Sequence, residues 1–258
     1  MLDEIMAHVY KHWKILCRRP GESAWILVYP FIGVLSIGIY TLFIVSQGAP
    51  MASMMLVFVG VQVWNFYDIT QRAVTYGMTF DIWSKSMKHA FVAKASMFHF
   101  IAGNALFGLL SAAAAFVLVG LLGIAIFGFN VFGVGIFALN LVPVFLFAIG
   151  VGLMINSLIV TKGEKYMSLI WTITGVIMIF SGVYYPASVL PEPFHSFAYV
   201  LPSTYAIDSM RAAFSGADSA YASMGIGLVL SVAYLLAGIL AFREGIRRGK
   251  VNGMITKY

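Results

Sequence analysis

The sequence predicts an all-α membrane protein: six transmembrane helices, an N-terminal interfacial amphipathic helix, and an outer re-entrant helical segment. Three observations carry this. The 258 residues are 61% hydrophobic and only 10% charged, with a mean hydropathy of +0.91, whereas a soluble domain is about 25% charged. Apolar stretches reaching the ~20 residues needed to cross a bilayer recur along the chain. The basic residues cluster in alternate gaps between them.

The spans follow in order. Residues 24–46 form the first and 51–70 the second. Residues 95–161 contain no Asp, Glu, Lys or Arg, too long a run for one crossing. The turn sequence Gly128-Phe-Asn-Val-Phe-Gly133 divides it into span three, about 99–127, and span four, about 134–160. Residues 166–186 form span five and 223–242 span six. Short loops use up the remaining length, so residues 1–258 read as a single transmembrane domain.

Orientation comes from the positive-inside rule. Lys11, Lys14, Arg18 and Arg19 precede span one. Arg72, Lys85, Lys88 and Lys94 lie between spans two and three, and Lys162 and Lys165 between four and five. Arg243, Arg247, Arg248, Lys250 and Lys257 follow span six. With six crossings all of these fall on one side, and of the 16 basic residues only Arg211 is left outside. Five or seven crossings would scatter them. Both termini are therefore expected in the cytoplasm, in a plasma or inner cell membrane. The pI of about 9.4 reflects topology signals rather than a nucleic-acid surface. The chain starts with acids, so no cleavable signal peptide is expected. Its single cysteine, Cys17, excludes an internal disulfide.

Three segments do not cross. Residues 1–20 hold the interfacial helix: Leu2, Ile5, Met6, Val9, Trp13 and Leu16 recur at helical spacing, with Asp3, Glu4, His8, Lys11 and Lys14 off that stripe. Residues 72–98 form the long inner loop. There Phe80, Trp83, Met87 and Phe91 share one helical face. Asp81, Lys85 and Lys88 share another, Asp81 and Lys85 at a favourable i,i+4 offset. Such aromatics need either the membrane surface or a protein partner. Residues 187–222 are the external segment. It is too rich in proline for one straight helix and too apolar for a free loop, so two short re-entrant helices are expected, with breaks near 191–193 and at Pro202. In the basic tail, 243–258, lie the only G-x-x-x-G spacings (Gly245, Gly249, Gly253), so no crossing helix is expected to carry that packing motif.

Recognisable catalytic chemistry is absent. There is no P-loop, no H-E-x-x-H and no G-x-S-x-G. His8 and His12 sit at i,i+4 but lack a third ligand, so no metal site is assigned. Glu22 lies at the inner start of span one, and Asp68 and Arg72 form an i,i+4 pair near the inner end of span two. These suit a cytoplasmic gate or simple interfacial charges. Gln62 and Asn65 in span two, and Thr172, Thr174 and Ser181 in span five, either line a conduit or bond between helices. Sparse charge inside the spans argues against a self-contained channel or ion-coupled carrier, the alternative reading.

The stretch Ser181-Gly182-Val-Tyr-Tyr185-Pro186, then Leu190-Pro191, then Leu201-Pro202-Ser-Thr204-Tyr205 and Met210-Arg211, resembles the signature of type-2 ABC exporter permeases. The order of parts agrees over essentially the whole chain. One departure lies in the inner loop, where many relatives carry an acid near a Gly-Thr pair. Here Met78 separates Gly77 from Thr79, and Asp81 stands as the acid. The resemblance implies a dimer, most simply a homodimer, in membrane lipid, with each copy bound to a separate ATPase subunit that holds ATP and Mg; this chain would bind no cofactor and have no catalytic site, and its charge placement gives no nucleic-acid partner. It implies that Phe80, Asp81, Trp83, Lys85, Met87, Lys88 and Phe91 form the coupling helix, and that residues 161–165 make a lesser contact. Spans two and five would line the pathway of a drug, lipid or glycan.

Overall fold

The computed structural model describes residues 2–18, 20–83, 97–128, 130, 132 and 135–251. Their regular structure is entirely helical: α1 (Leu2–Arg18), α2 (Pro20–Ser46), α3 (Met51–Trp83), α4 (Met97–Phe127), α5 (Phe137–Lys162), α6 (Leu169–Phe180), α7 (Phe194–Ala198), α8 (Pro202–Phe214) and α9 (Ser219–Val251), with short 3-10 turns at Glu164–Tyr166 and Ala187–Val189. Proline opens α8, a position where its missing N–H has no intrahelical acceptor to lose.

Among the described residues, four helical stretches are long and apolar enough to cross a membrane: Val28–Ser46, Phe98–Phe127, Phe137–Lys162 and Ser219–Val251. They correspond to expected spans one, three, four and six. Expected spans two and five differ from the reading of the sequence. Helix α3 has 33 residues, about 50 Å at 1.5 Å per residue, but it is too polar to qualify. It packs against α2, α4, α5, α6 and α8, so its polar side chains face protein rather than lipid. It also runs on to Trp83, so the expected inner loop begins as a continuation of the helix. Helix α6 has 12 residues, about 18 Å, against a ~30 Å hydrocarbon core. The turn after Phe180 ends it well before residue 186. There Gly182 takes φ 67°, a conformation that costs other residues steric strain.

The outer segment contains α7 and α8, broken around Pro191–Pro193 and at Pro202, where a fixed φ and a missing donor interrupt helix geometry. The most extensive helix pair is α5 with α9. Small residues bring the backbones together: a Cβ on Gly238 would collide with the Gly150 carbonyl oxygen, and one on Gly245 with Ser157 Oγ. Ser157 Oγ also donates to the Ala241 carbonyl at 2.7 Å. Helix α9 continues through the basic tail to Val251, and Gly245 and Gly249 are buried. The glycine spacing assigned to a non-crossing tail therefore belongs to the end of a long helix and helps seat it on α5.

Helix α1 has three sectors. Ile5, His8, Val9, Lys11, His12, Ile15 and Leu16 are buried or half-buried, facing α4, α2 and the end of α3. Leu2, Met6, Tyr10 and Trp13 are exposed. Asp3, Lys14 and Arg18 are also exposed and polar. The predicted apolar stripe is thus split. Half of it and the histidines pack inward, while the other half offers an apolar strip to its surroundings.

Candidate functional site

Polar side chains gather where α3 meets α6. Asp68, Arg72, Thr75 and Thr79 follow one another by four, three and four residues on one stripe of α3, with Gln71 beside it. Arg72 Nε donates to Asp68 Oδ1 at 2.7 Å. The guanidinium carbon lies 3.6 Å from the centre of the Trp171 ring on α6, and the Tyr76 ring stands edge-on to the same indole. One turn away, Gln71 Nε2 donates to Thr75 Oγ1 at 3.0 Å, and Thr75 Oγ1 donates to the Gln71 carbonyl at 2.8 Å. Thr174 Oγ1 donates to its own helix at Ile170 and lies 3.2 Å from Gln71 Oε1. Thr174, Gln71 and Thr75 are buried.

Of the sequence-selected gate and pathway residues, this cluster unites Asp68, Arg72 and Thr174. Asn65 is a turn further out, half-buried, and its Nδ2 has no partner among the described residues. The others lie apart. Gln62 Nε2 donates to the Phe116 carbonyl on α4 at 3.2 Å, a helix-to-helix tie. Thr172 is exposed and donates to the Ser168 carbonyl of its own helix. Ser181 belongs to the outer turn described below. The Glu22 side chain lies outside the described ones.

A second cluster joins α1 to the C-terminal end of α3 and the N-terminal end of α4. Lys11 Nζ reaches both Asp81 oxygens, at 2.8 and 3.0 Å. Glu4 Oε2 lies 2.8 Å from His99 Nδ1. His12 Nε2 is 2.5 Å from Asn104 Oδ1, and its ring stacks on Phe107 with centroids 4.9 Å apart. Burial, with Lys11 nearby, pushes the His12 imidazole down to about 4, so it is neutral at physiological pH and donates to Asn104. His8 is lowered by the same two causes. The sequence placed Asp81 beside Lys85 on a partner-facing surface. In the fold Asp81 is 6% exposed and its carboxylate is turned to Lys11 of α1. Phe80 is half-buried. The side chain of Trp83 and residues Lys85, Met87, Lys88 and Phe91 lie outside the described ones.

The third assembly lies at the opposite end of α3, in the segment that the sequence reading expects to face outward. Arg211 on α8 donates from Nη2 to the Val183 carbonyl at 3.0 Å, from Nη1 to Tyr185 at 3.1 Å, and from Nε to the Leu56 carbonyl on α3 at 3.1 Å. Burial lowers its guanidinium to about 10, opposed by nearby Asp208, whose own carboxyl burial raises. The turn 181–186 is thus held to both α8 and α3. Gly60 permits the approach, since a Cβ there would strike the Val183 oxygen. Ser181 Oγ bonds Ser203 Oγ at 2.6 Å, Thr204 Oγ1 donates to Ala198 at 2.6 Å, and Tyr185 hydroxyl donates to Ile179 at 2.6 Å. Tyr205 packs on Tyr199 with centroids 5.6 Å apart, Pro202 starts α8, Pro186 precedes the 3-10 turn, and Pro191 is exposed beyond it. The motif residues are therefore the parts of one outer lock.

A family model described as ABC-2 type transporter matches residues 3–215. The chain belongs to the ABC-2 type transporter family. It is an ABC transporter permease subunit and a multi-pass membrane protein. The matched region of this permease ends just after α8, so it includes the whole outer lock and leaves α9 outside. No curated protein matches the chain.

Several permease residues in these clusters were not singled out from the sequence: Gln71, Thr75, Trp171, Glu4, His99 and Asn104. The polar stripe on α3 offered a signal, since its spacing of three and four continues past the expected end of span two. Trp171 and Asn104 carried none, because their partners are remote in sequence.

Proposed function

We propose that this permease is the membrane half of an ATP-driven exporter. It works as a dimer, most simply a homodimer, with each copy seated on a separate ATPase subunit that binds ATP and Mg. Its cargo is an amphiphilic molecule: lipid-like, drug-like or glycan. Residues 80–91 form the contact with the ATPase, and Asp68, Arg72, Thr174 and Trp171 form an inner gate between α3 and α6.

The observation that carries this reading is the unbroken course of α3. One helix runs from the outer lock at Leu56, through the polar cluster, to Asp81 and Trp83 at the inner end. A rigid rod of this kind transmits a displacement at its base to the α3–α6 contact. The cluster can give way because a cation–π contact and a few hydrogen bonds hold it, each worth about 1 kcal/mol. The family typically pairs with an ABC ATPase, which supplies the energy source that this chain lacks.

Purification with the ABC ATPase encoded nearest to it is the test. The expected product is a complex with two copies of each chain by native mass spectrometry. Trp83→Ala and the pair Lys85→Glu with Lys88→Glu should weaken it at least about ten-fold, a loss of ~1.4 kcal/mol or more. A permease that binds no ATPase and moves ions down a gradient by itself would overturn the reading.

A further inference from the structure

On α1, Glu4 and Lys11 are seven residues apart, two turns along one stripe and about 10.5 Å in rise. That is too far for them to pair with each other. Each pairs with a different helix instead: Glu4 with His99 at the start of α4, 2.8 Å away, and Lys11 with Asp81 near the end of α3, at 2.8 Å. The sites are built for close docking. A Cβ on Gly103 of α4 would collide with the His8 Cβ and lie 3.1 Å from the Ile5 carbonyl, and one on Gly77 of α3 would lie 2.6 Å from Asn104 Oδ1. His12 is held between them by Asn104 and Phe107, and the Lys11 ammonium lies 5.7 Å from the centre of the Phe100 ring. Asp81, near the end of the helix, is on the face of α3 opposite the polar stripe that meets α6, as its spacing from Thr79 requires.

We propose that Glu4 and Lys11 are positioning residues that make α1 the tie between the inner ends of α3 and α4, so that the three segments move as one body when the ATPase acts. This rests on the coupling reading above. α3 and α4 also touch each other directly at Gly77 and Asn104; without the tie, α1 would be free to separate from both, and a push at those ends would not reach it. With it, the push reaches the α3–α6 contact and the exposed strip of Leu2, Met6, Tyr10 and Trp13 together.

The test uses spin labels at Met6→Cys on α1 and Leu110→Cys on α4, in a Cys17→Ser background. In the permease alone the distance distribution should be narrow. Lys11→Glu should broaden it about two-fold, and adding Asp81→Lys should restore it, as expected of a direct pair. Glu4→Gln, which removes the carboxylate beside His99, should broaden it if Lys11→Glu fails to fold. In the complex with the ATPase, trapping with ATP and vanadate should leave this distance unchanged while a label at Val251→Cys on α9 moves relative to Met6→Cys. A charge swap that stays as broad as the single variant overturns the proposal. So does an α1–α4 distance that shifts on trapping as much as the α1–α9 distance. Restoration by the swap with no shift at α9 supports the tie and counts against the coupling reading instead.

Discussion

The Arg72 guanidinium on α3 lies 3.6 Å from the centre of the Trp171 ring on α6, while Asp68 holds its Nε at 2.7 Å. The pair of residues bridges two helices that otherwise touch little. Trp171→Ala should cost about 1 kcal/mol, the loss of one half-exposed cation–π contact. Arg72→Ala should cost about 2–4 kcal/mol, because it leaves the Asp68 carboxylate, with 18% side-chain exposure, without its counter-charge. Adding Asp68→Asn to Arg72→Ala should recover most of that loss. Thermal melts of wild type, Arg72→Ala, Asp68→Asn and the double variant in one detergent form the double-mutant cycle; equal losses for Arg72→Ala and the double variant would refute the pairing argument.

Arg211 donates to three backbone carbonyls, those of Leu56, Tyr185 and Val183. Arg211→Ala should therefore destabilise by about 3 kcal/mol, near 1 kcal/mol for each bond. Arg211→Lys should recover a third of this or less, since an ammonium lacks the planar fork that spans three oxygens. Melting temperature checks both.

Two glycines of the outer lock have different reasons to be glycine. Gly182→Ala should cost about 1–2 kcal/mol, the strain of a side chain at positive φ, with its Cβ also 2.8 Å from the Tyr185 oxygen. Gly60→Ala should cost more, because its Cβ meets the Val183 carbonyl and, at 2.8 Å, Arg211 Nη2. Gly225→Ala is the control. It has nothing within 4 Å and should be neutral or gain up to about 1 kcal/mol from helix propensity. Folded yield and melting temperature should be lowest for Gly60→Ala, intermediate for Gly182→Ala and highest for Gly225→Ala.

His12 gives the α1 joint a pH dependence of known sign. Its folded value of about 4 lies below the 6.5 of an exposed imidazole, so the unfolded chain binds more protons between those values and stability rises with pH across that window. Acidifying from 6.5 to 4 should remove up to about 3 kcal/mol through this group. Lys11, Asp81 and His8 face it, and His8 titrates in the same direction. Melts of wild type and His12→Gln at pH 4.5 and 7.5 isolate its share: the variant should lose less on acidification, and identical slopes would refute the assignment.

The helical class and four crossing stretches were legible in the sequence because they depend on summed apolarity over about 20 residues, a local quantity. The motif 181–211 was legible as a resemblance, and the fold supplies its physics: small, hydroxylated and cationic groups that satisfy backbone left open by a turn. Less legible were the span two and span five boundaries. Hydropathy assumes that a crossing helix meets lipid, and α3 meets other helices. Gln62 and Thr172 looked equivalent to Thr174 in type and place, but helix rotation sends Gln62 to the Phe116 carbonyl and Thr172 outward.

By itself the sequence determined that the chain enters the membrane and that its basic residues cluster in alternate gaps between apolar stretches. Those properties follow from residue type and order. Only the tertiary structure decided that Asp81 pairs with Lys11, 70 residues away. It likewise decided that Arg72 is stacked on Trp171. Such pairings depend on how the helices are rotated and crossed, and burial of all the contacting faces together sets that.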